Sequence, residues 1–179
     1  GLGGIAIDEV GNIYVAGTTW STDFPTQNAF DNSYNGNTDT FVAKLSVAGD
    51  SLVFSTYLGA SGWDPGDGGI AVDTAGNVFV SGHTNSSNFP TQNAYDNSWN
   101  GGDDAYVLKL SAIGNSLLYS TFVGGSSNEN GLSGMMIDSA GNTYVYGNTV
   151  SSDFPLINAY DNALSGDTDL FVFKLSVTG

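Results

Sequence analysis

The sequence predicts an all-β fold: an array of four-stranded antiparallel units, 65 residues each, set side by side. Three observations carry this. Gly3-Gly4-Ile5-Ala6-Ile7-Asp8 returns as Gly68-Gly69-Ile70-Ala71-Val72-Asp73 and again as Ser133-Gly134-Met135-Met136-Ile137-Asp138, without insertion or deletion. Apolar, β-branched and aromatic clusters are bounded throughout by Gly, Asn, Asp and Ser, with no helical period. Four such clusters fall in each full unit.

The first strand is expected at residues 4–8. The segment Asp8-Glu9-Val10-Gly11-Asn12 then makes a tight turn into Ile13-Tyr14-Val15-Ala16-Gly17, with Gly11 free to take a positive φ. The third strand, residues 40–46, alternates, placing Phe41, Ala43 and Leu45 on one face and Val42 and Lys44 on the other. Residues 52–58 form the fourth. Short connections with one long loop make a β-propeller-type blade. The expected units are 1–65, 66–130 and 131–179, the last with three strands and no fourth. Eleven strands do not make an ordinary closed ring. The expectation is therefore an excerpt of a longer array or a strand donated by a neighbour, since an unpaired edge invites β-augmentation. The opening Gly1-Leu2-Gly3-Gly4, with neither Met nor a signal-peptide pattern, is read the same way.

Asp and Glu outnumber Lys and Arg by 18 to 3, giving a net charge of −15. The lysines, Lys44, Lys109 and Lys174, are spaced a full repeat apart, so nucleic acid and anionic membrane surfaces are not expected partners. No apolar run is long enough for membrane insertion as a helix. With no cysteine there is no disulfide, thiolate metal site or cysteine nucleophile.

The long loop, residues 18–38, is the first place for chemistry. Each copy carries Phe-Pro and then Asn-Ala-Phe/Tyr-Asp-Asn, as in Asn28-Ala29-Phe30-Asp31-Asn32. In one reading Phe24 and Phe30 anchor the loop while Asp and Asn hold its turns. In the other it binds Ca²⁺, a hard cation that takes six to eight oxygens, with Asp31, Asp96, Asp161, Asp39, Asp104 and Asp169 as the recurring carboxylates. Asp8, Asp73 and Asp138 are expected to hold their hairpin turns, or else to form an acidic ring able to serve a cation, a sugar or glycan cleavage. His83 has Thr18 and Asn148 as counterparts, excluding a repeated His site, and is expected on an exposed loop. Trp20, Trp63 and Trp99 are replaced in the other copies, which favours packing over sugar stacking. Asn85-Ser86-Ser87 is the single N-glycosylation sequon.

The run from Gly3 to Gly17, with Asp23-Phe24-Pro25, Asp39-Thr40-Phe41-Val42-Ala43-Lys44-Leu45 and Ser55-Thr56-Tyr57-Leu58-Gly59, resembles the SBBP-type beta-propeller repeat across all three units. The third departs from it at Met135-Met136 and Leu156-Ile157. The resemblance implies a propeller-like fold and a secreted or cell-surface, adhesive or scaffolding setting, and no reaction. The functional expectation is thus a non-enzymatic structural or adhesive repeat protein, extracellular, partnered by copies of itself, further repeats or glycans. A calcium-dependent carbohydrate-binding propeller is the alternative, and a glycan-cleaving enzyme the third reading.

Overall fold

The computed structural model describes residues 2–179. Among the described residues, eleven strands form three open antiparallel sheets. The first holds β1 (Leu2–Ile7), β2 (Ile13–Thr19), β3 (Asp39–Leu45) and β4 (Leu52–Leu58) in that spatial order. The second holds β5 (Gly69–Val72), β6 (Val78–Thr84), β7 (Asp104–Leu110) and β8 (Leu117–Val123). The third has β9 (Gly134–Ile137), β10 (Thr143–Thr149) and β11 (Asp169–Leu175). There is no helix among the described residues, hence none long and apolar enough to cross a membrane.

Each first hairpin closes as its sequence requires. The Gly11 N–H donates to the Asp8 carbonyl at 3.0 Å and the Asp8 N–H to the Asn12 carbonyl at 3.2 Å, with Gly11 at φ 93°. Ile7 then faces Ile13 in register. The third and fourth strands pair with one irregularity, between Lys44 and Leu45 and again between Lys109 and Leu110.

The alternation of β3 explains how the sheets pack. Two apolar clusters fill the molecule, one between each pair of successive sheets. Val42, Tyr14 and Phe54 meet Val80, Leu108 and Phe122 across the first joint. Phe79, Val107 and Tyr119 meet Val145, Phe171 and Leu175 across the second. The first strands of the three units lie beside one another, β1 against β5 and β5 against β9. A fully buried apolar side chain of this size is worth about 1.5–3 kcal/mol, so each joint is a substantial part of the stability. The middle sheet is clamped on both faces, and β7 is buried at all seven positions.

Candidate functional site

The sequence-derived acids fall into three environments. Asp8, Asp73 and Asp138 hold turns. Asp8 Oδ1 accepts the N–H groups of Val10 and Asn12, and Oδ2 accepts the Asn12 side-chain amide at 2.7 Å and the Tyr14 hydroxyl at 3.0 Å. The lysine of the third strand sits beside the turn acid in every unit: Lys44 at 3.9 Å from Asp8, Lys109 at 3.2 Å from Asp73 and Lys174 at 4.0 Å from Asp138. Each ammonium also lies over the aromatic ring of the second strand, Tyr14, Phe79 or Tyr144. Partial burial pushes the Asp8 carboxyl up, but the bonds from Asn12 and Tyr14 and the Lys44 charge outweigh it and hold the group at about 2.

Asp31, Asp96 and Asp161 hold the long loop. Asp31 Oδ1 accepts the Ser33 N–H at 2.9 Å and Oδ2 the Asn35 amide at 2.5 Å; Asp96 repeats this with Ser98 and Asn100. Asp161 accepts the Ala163 N–H at 3.1 Å. The loop anchors are Phe24, whose ring centroid is 4.8 Å from that of Phe41, and Phe89 and Phe154, which stack on Tyr106 and Phe171. His83, expected on an exposed loop, instead lies within β6, with Nδ1 3.2 Å from Asp67 Oδ1. Alternation in that strand turns it toward the connection that enters its own sheet. Trp20 and Trp63 form an exposed edge-to-face pair at 6.3 Å.

The third environment is the joint between sheets. Asp39 and Asp104 open their strands with no exposure at all. Oδ2 of each accepts the N–H of Asn35 or Asn100, at 3.1 and 2.9 Å, while Oδ1 has no partner. A second buried acid neighbours each of them, and sequence reasoning had singled out neither: Asp64 at the first joint, Glu129 at the second. Asp64 Oδ2 accepts the Ala60 N–H at 2.6 Å and the Ser86 hydroxyl at 2.9 Å, and Oδ1 accepts the Thr84 hydroxyl. Glu129 accepts the Gly125 N–H at 2.7 Å and the Thr149 hydroxyl at 2.6 Å. The second acid thus reaches from one unit to strand β6 or β10 of the next. Asp104 Oδ1 and Glu129 Oε2 each lie 2.6 Å from where a Cβ on Gly124 would sit, so they are no more than twice that apart, and only glycine leaves them room.

Neither Asp39 nor Asp104 ionises freely in so buried a place. Burial raises Asp39 to about 6, with Asp64 and Asp31 adding repulsion against the Asn35 bond. Burial likewise raises Asp104 to about 7, helped by Glu129, Asp96 and Asp103. At neutral pH the arrangement retains a proton on Asp104 or lies close to doing so. Asp169 starts β11 in the same way, its Oδ2 accepting the Ser165 N–H at 2.7 Å, but the counterpart of Asp64 and Glu129 would fall past Gly179. Of the six expected calcium ligands, the fold brings Asp31 to Asp39 through Asn35 and Asp96 to Asp104 through Asn100. Among the described residues no three His, Asp or Glu side chains come close enough to share one metal ion.

Hydroxyls finish the joints. The Tyr106 hydroxyl lies 2.6 Å from Thr40 Oγ1 and donates to the Pro65 carbonyl at 3.2 Å, while that of Tyr119 lies 2.9 Å from Thr143 Oγ1. The acid contacts repeat at the 65-residue step, Asp64 to Thr84 and Glu129 to Thr149, so the polar interior of each of the first two joints is completed by the following sheet. The family model for the SBBP beta-propeller repeat matches residues 3–25 and 53–90. Those segments, about a third of the chain, are similar to SBBP repeats, in the first two of the three units over which the sequence resemblance runs. A search of the curated proteins finds no match.

Proposed function

We propose that this chain is a non-enzymatic structural or adhesive repeat protein of the extracellular matrix or cell surface, which joins copies of itself or further repeats into longer assemblies. The observation that carries this is the joint, built twice to the same plan: Asp64 accepts the hydroxyls of Thr84 and Ser86 in the next unit, and Glu129 that of Thr149 in the one after. Side chains kept for their chemistry in this way serve unit-to-unit cohesion rather than a pocket.

Two further features support the reading. The acids considered for glycan cleavage are poorly suited to it, because Asp8 is tied to Asn12, Tyr14 and Lys44 and ionises at about 2, far below a proton donor's working range. Each lysine lies beside a turn carboxylate, leaving the rest of an acidic surface to repel nucleic acid and anionic lipid. Electron microscopy with light scattering across a concentration series tests the proposal. Multi-unit particles growing with concentration are expected; compact monomers at every concentration would overturn the assembly reading.

A further inference from the structure

Asp39 and Asp104 each bury a carboxylate oxygen, Oδ1, that no donor in the protein reaches. An acceptor of that strength left unpaired in a closed joint costs free energy, so what surrounds it matters. At the second joint Asp104 Oδ1 and Glu129 Oε2 are both aimed at one point, each 2.6 Å from where a Gly124 Cβ would sit. Two oxygens bound at about 2.4 Å to one Ca²⁺ span up to about 5 Å, so the pair has the spacing of a calcium bridge. At the first joint Asp39 Oδ1 lies in the place of the Gly59 side chain, and Asp64 is the charge that bears on it most strongly.

The protein supplies little positive charge to either pair. Its three Lys and Arg side chains are all at the turn acids, Lys44 with Asp8, Lys109 with Asp73 and Lys174 with Asp138. His83 acts on Asp64 alone while paired with Asp67, and its counterpart at the second joint is Asn148. Asp31 adds negative charge at the first joint, and Asp96 and Asp103 at the second. A proton settles one carboxylate of each pair; a divalent cation settles both. The first joint also has a way in. A cleft of about 420 Å³ opens between successive loops, walled by Asp31, Asn35, Gly59 and Ala60, and it reaches the glycine beside Asp39.

We propose that each of these two joints binds one Ca²⁺ between its paired acids, Asp39 with Asp64 and Asp104 with Glu129. Oδ1 of the first acid and a carboxylate oxygen of the second supply the charge, and backbone carbonyls and water complete the shell. Outer donors already orient the second acid: the Ala60 N–H with the Thr84 and Ser86 hydroxyls at Asp64, the Gly125 N–H with the Thr149 hydroxyl at Glu129. Asp31 and Asp96, expected as ligands from the sequence, act one step further out through Asn35 and Asn100. Because the second acid also bonds to the next unit, each ion braces two successive sheets. With two carboxylates per ion the affinity falls in the range of extracellular sites, about 10⁻⁴–10⁻³ M.

The test is calorimetry and thermal melting of the full chain at pH 8, chelator-treated and then titrated with CaCl₂ to about 10 mM, with NaCl of equal ionic strength as control. Two ions per chain are expected, with a rise in melting temperature of about 5 °C or more. Asp39→Asn and Asp104→Asn should each keep one ion and about half the rise, and Glu129→Gln should match Asp104→Asn. The exposed Asp50→Asn should keep both ions. No calcium-dependent rise, a rise that NaCl reproduces, or one that the joint variants leave whole overturns the proposal. The site goes beyond the assembly reading: growing particles without calcium binding sink the site alone, and calcium binding by strictly monomeric particles sinks the assembly reading alone.

Discussion

Replacing Asp104 by Asn tests the joint most directly. The carboxyl is raised by burial, and by Glu129 beside it, from 3.8 to about 7. A folded-state value above the unfolded one means that the stability it confers is full below about pH 4 and is lost as pH rises to 7. Three units at about 1.4 kcal/mol each give a loss of about 4 kcal/mol across that range. The Asn variant does not titrate, still accepts the Asn100 N–H, and can donate to Glu129 Oε2 in place of the missing proton. Urea unfolding of both proteins from pH 4 to pH 8 should therefore show the parent falling relative to Asp104→Asn by about 4 kcal/mol. In heating experiments that is a divergence of about 10 °C. Parallel pH profiles would refute a raised Asp104 carboxyl. Chelator is present throughout, because calcium at that joint would hold the carboxyl ionised.

Three other outcomes follow from the same geometry. The turn acids act in the opposite sense: Asp8 is held down at about 2, so its stabilisation is present above about pH 4 and lost on further acidification, and denaturation measured from pH 2 to pH 8 should show maximal stability near pH 4 to 5. Tyr106→Phe leaves the Pro65 carbonyl short of a buried partner, while Thr40 keeps its bond to the Asp64 carbonyl, and should cost about 1–2 kcal/mol in chemical denaturation, with little change in far-UV circular dichroism. Val107→Ala and Val172→Ala remove the same atoms from equivalent positions; with Val107 wholly buried and Val172 76% exposed, the first should cost about 2 kcal/mol and the second almost nothing.

Periodicity was enough to place most of the fold. Residues 52–58 are the observed fourth strand, and the turn at Asp8, Gly11 and Asn12 closes as its residues require. The alternation through Val42 and Lys44 marks the face that meets the next sheet. The ends of β2 and β3 run further into the long loop than the apolar pattern indicates, because Thr18 with Thr40 and Thr19 with Asp39 continue the ladder through polar residues. The joint was not legible. Asp39 and Asp104 stood out as recurring acids, yet their burial beside Asp64 and Glu129 depends on how closely two sheets approach, which repeat spacing does not report. One signal was available: position 64 of the first unit and its counterpart 129 are both acidic while the flanking residues change, and each is followed by a buried hydroxyl pair, Thr84 with Ser86 or Thr149 with Ser151. His83 shows the converse limit, a polar residue taken for a loop that lies inside a strand.

The seven buried positions of β7 have a kinetic consequence. With one neighbour on each side, the central sheet is the keystone, and the flanking sheets can detach only one at a time. The third sheet, with Leu170 and Val172 in water, is the natural starting point for unravelling. The molecule therefore has a direction along which it comes apart, from its third sheet toward its second. Amide exchange should accordingly run fastest in β9 to β11 and slowest in β7, graded along the array rather than uniform across it.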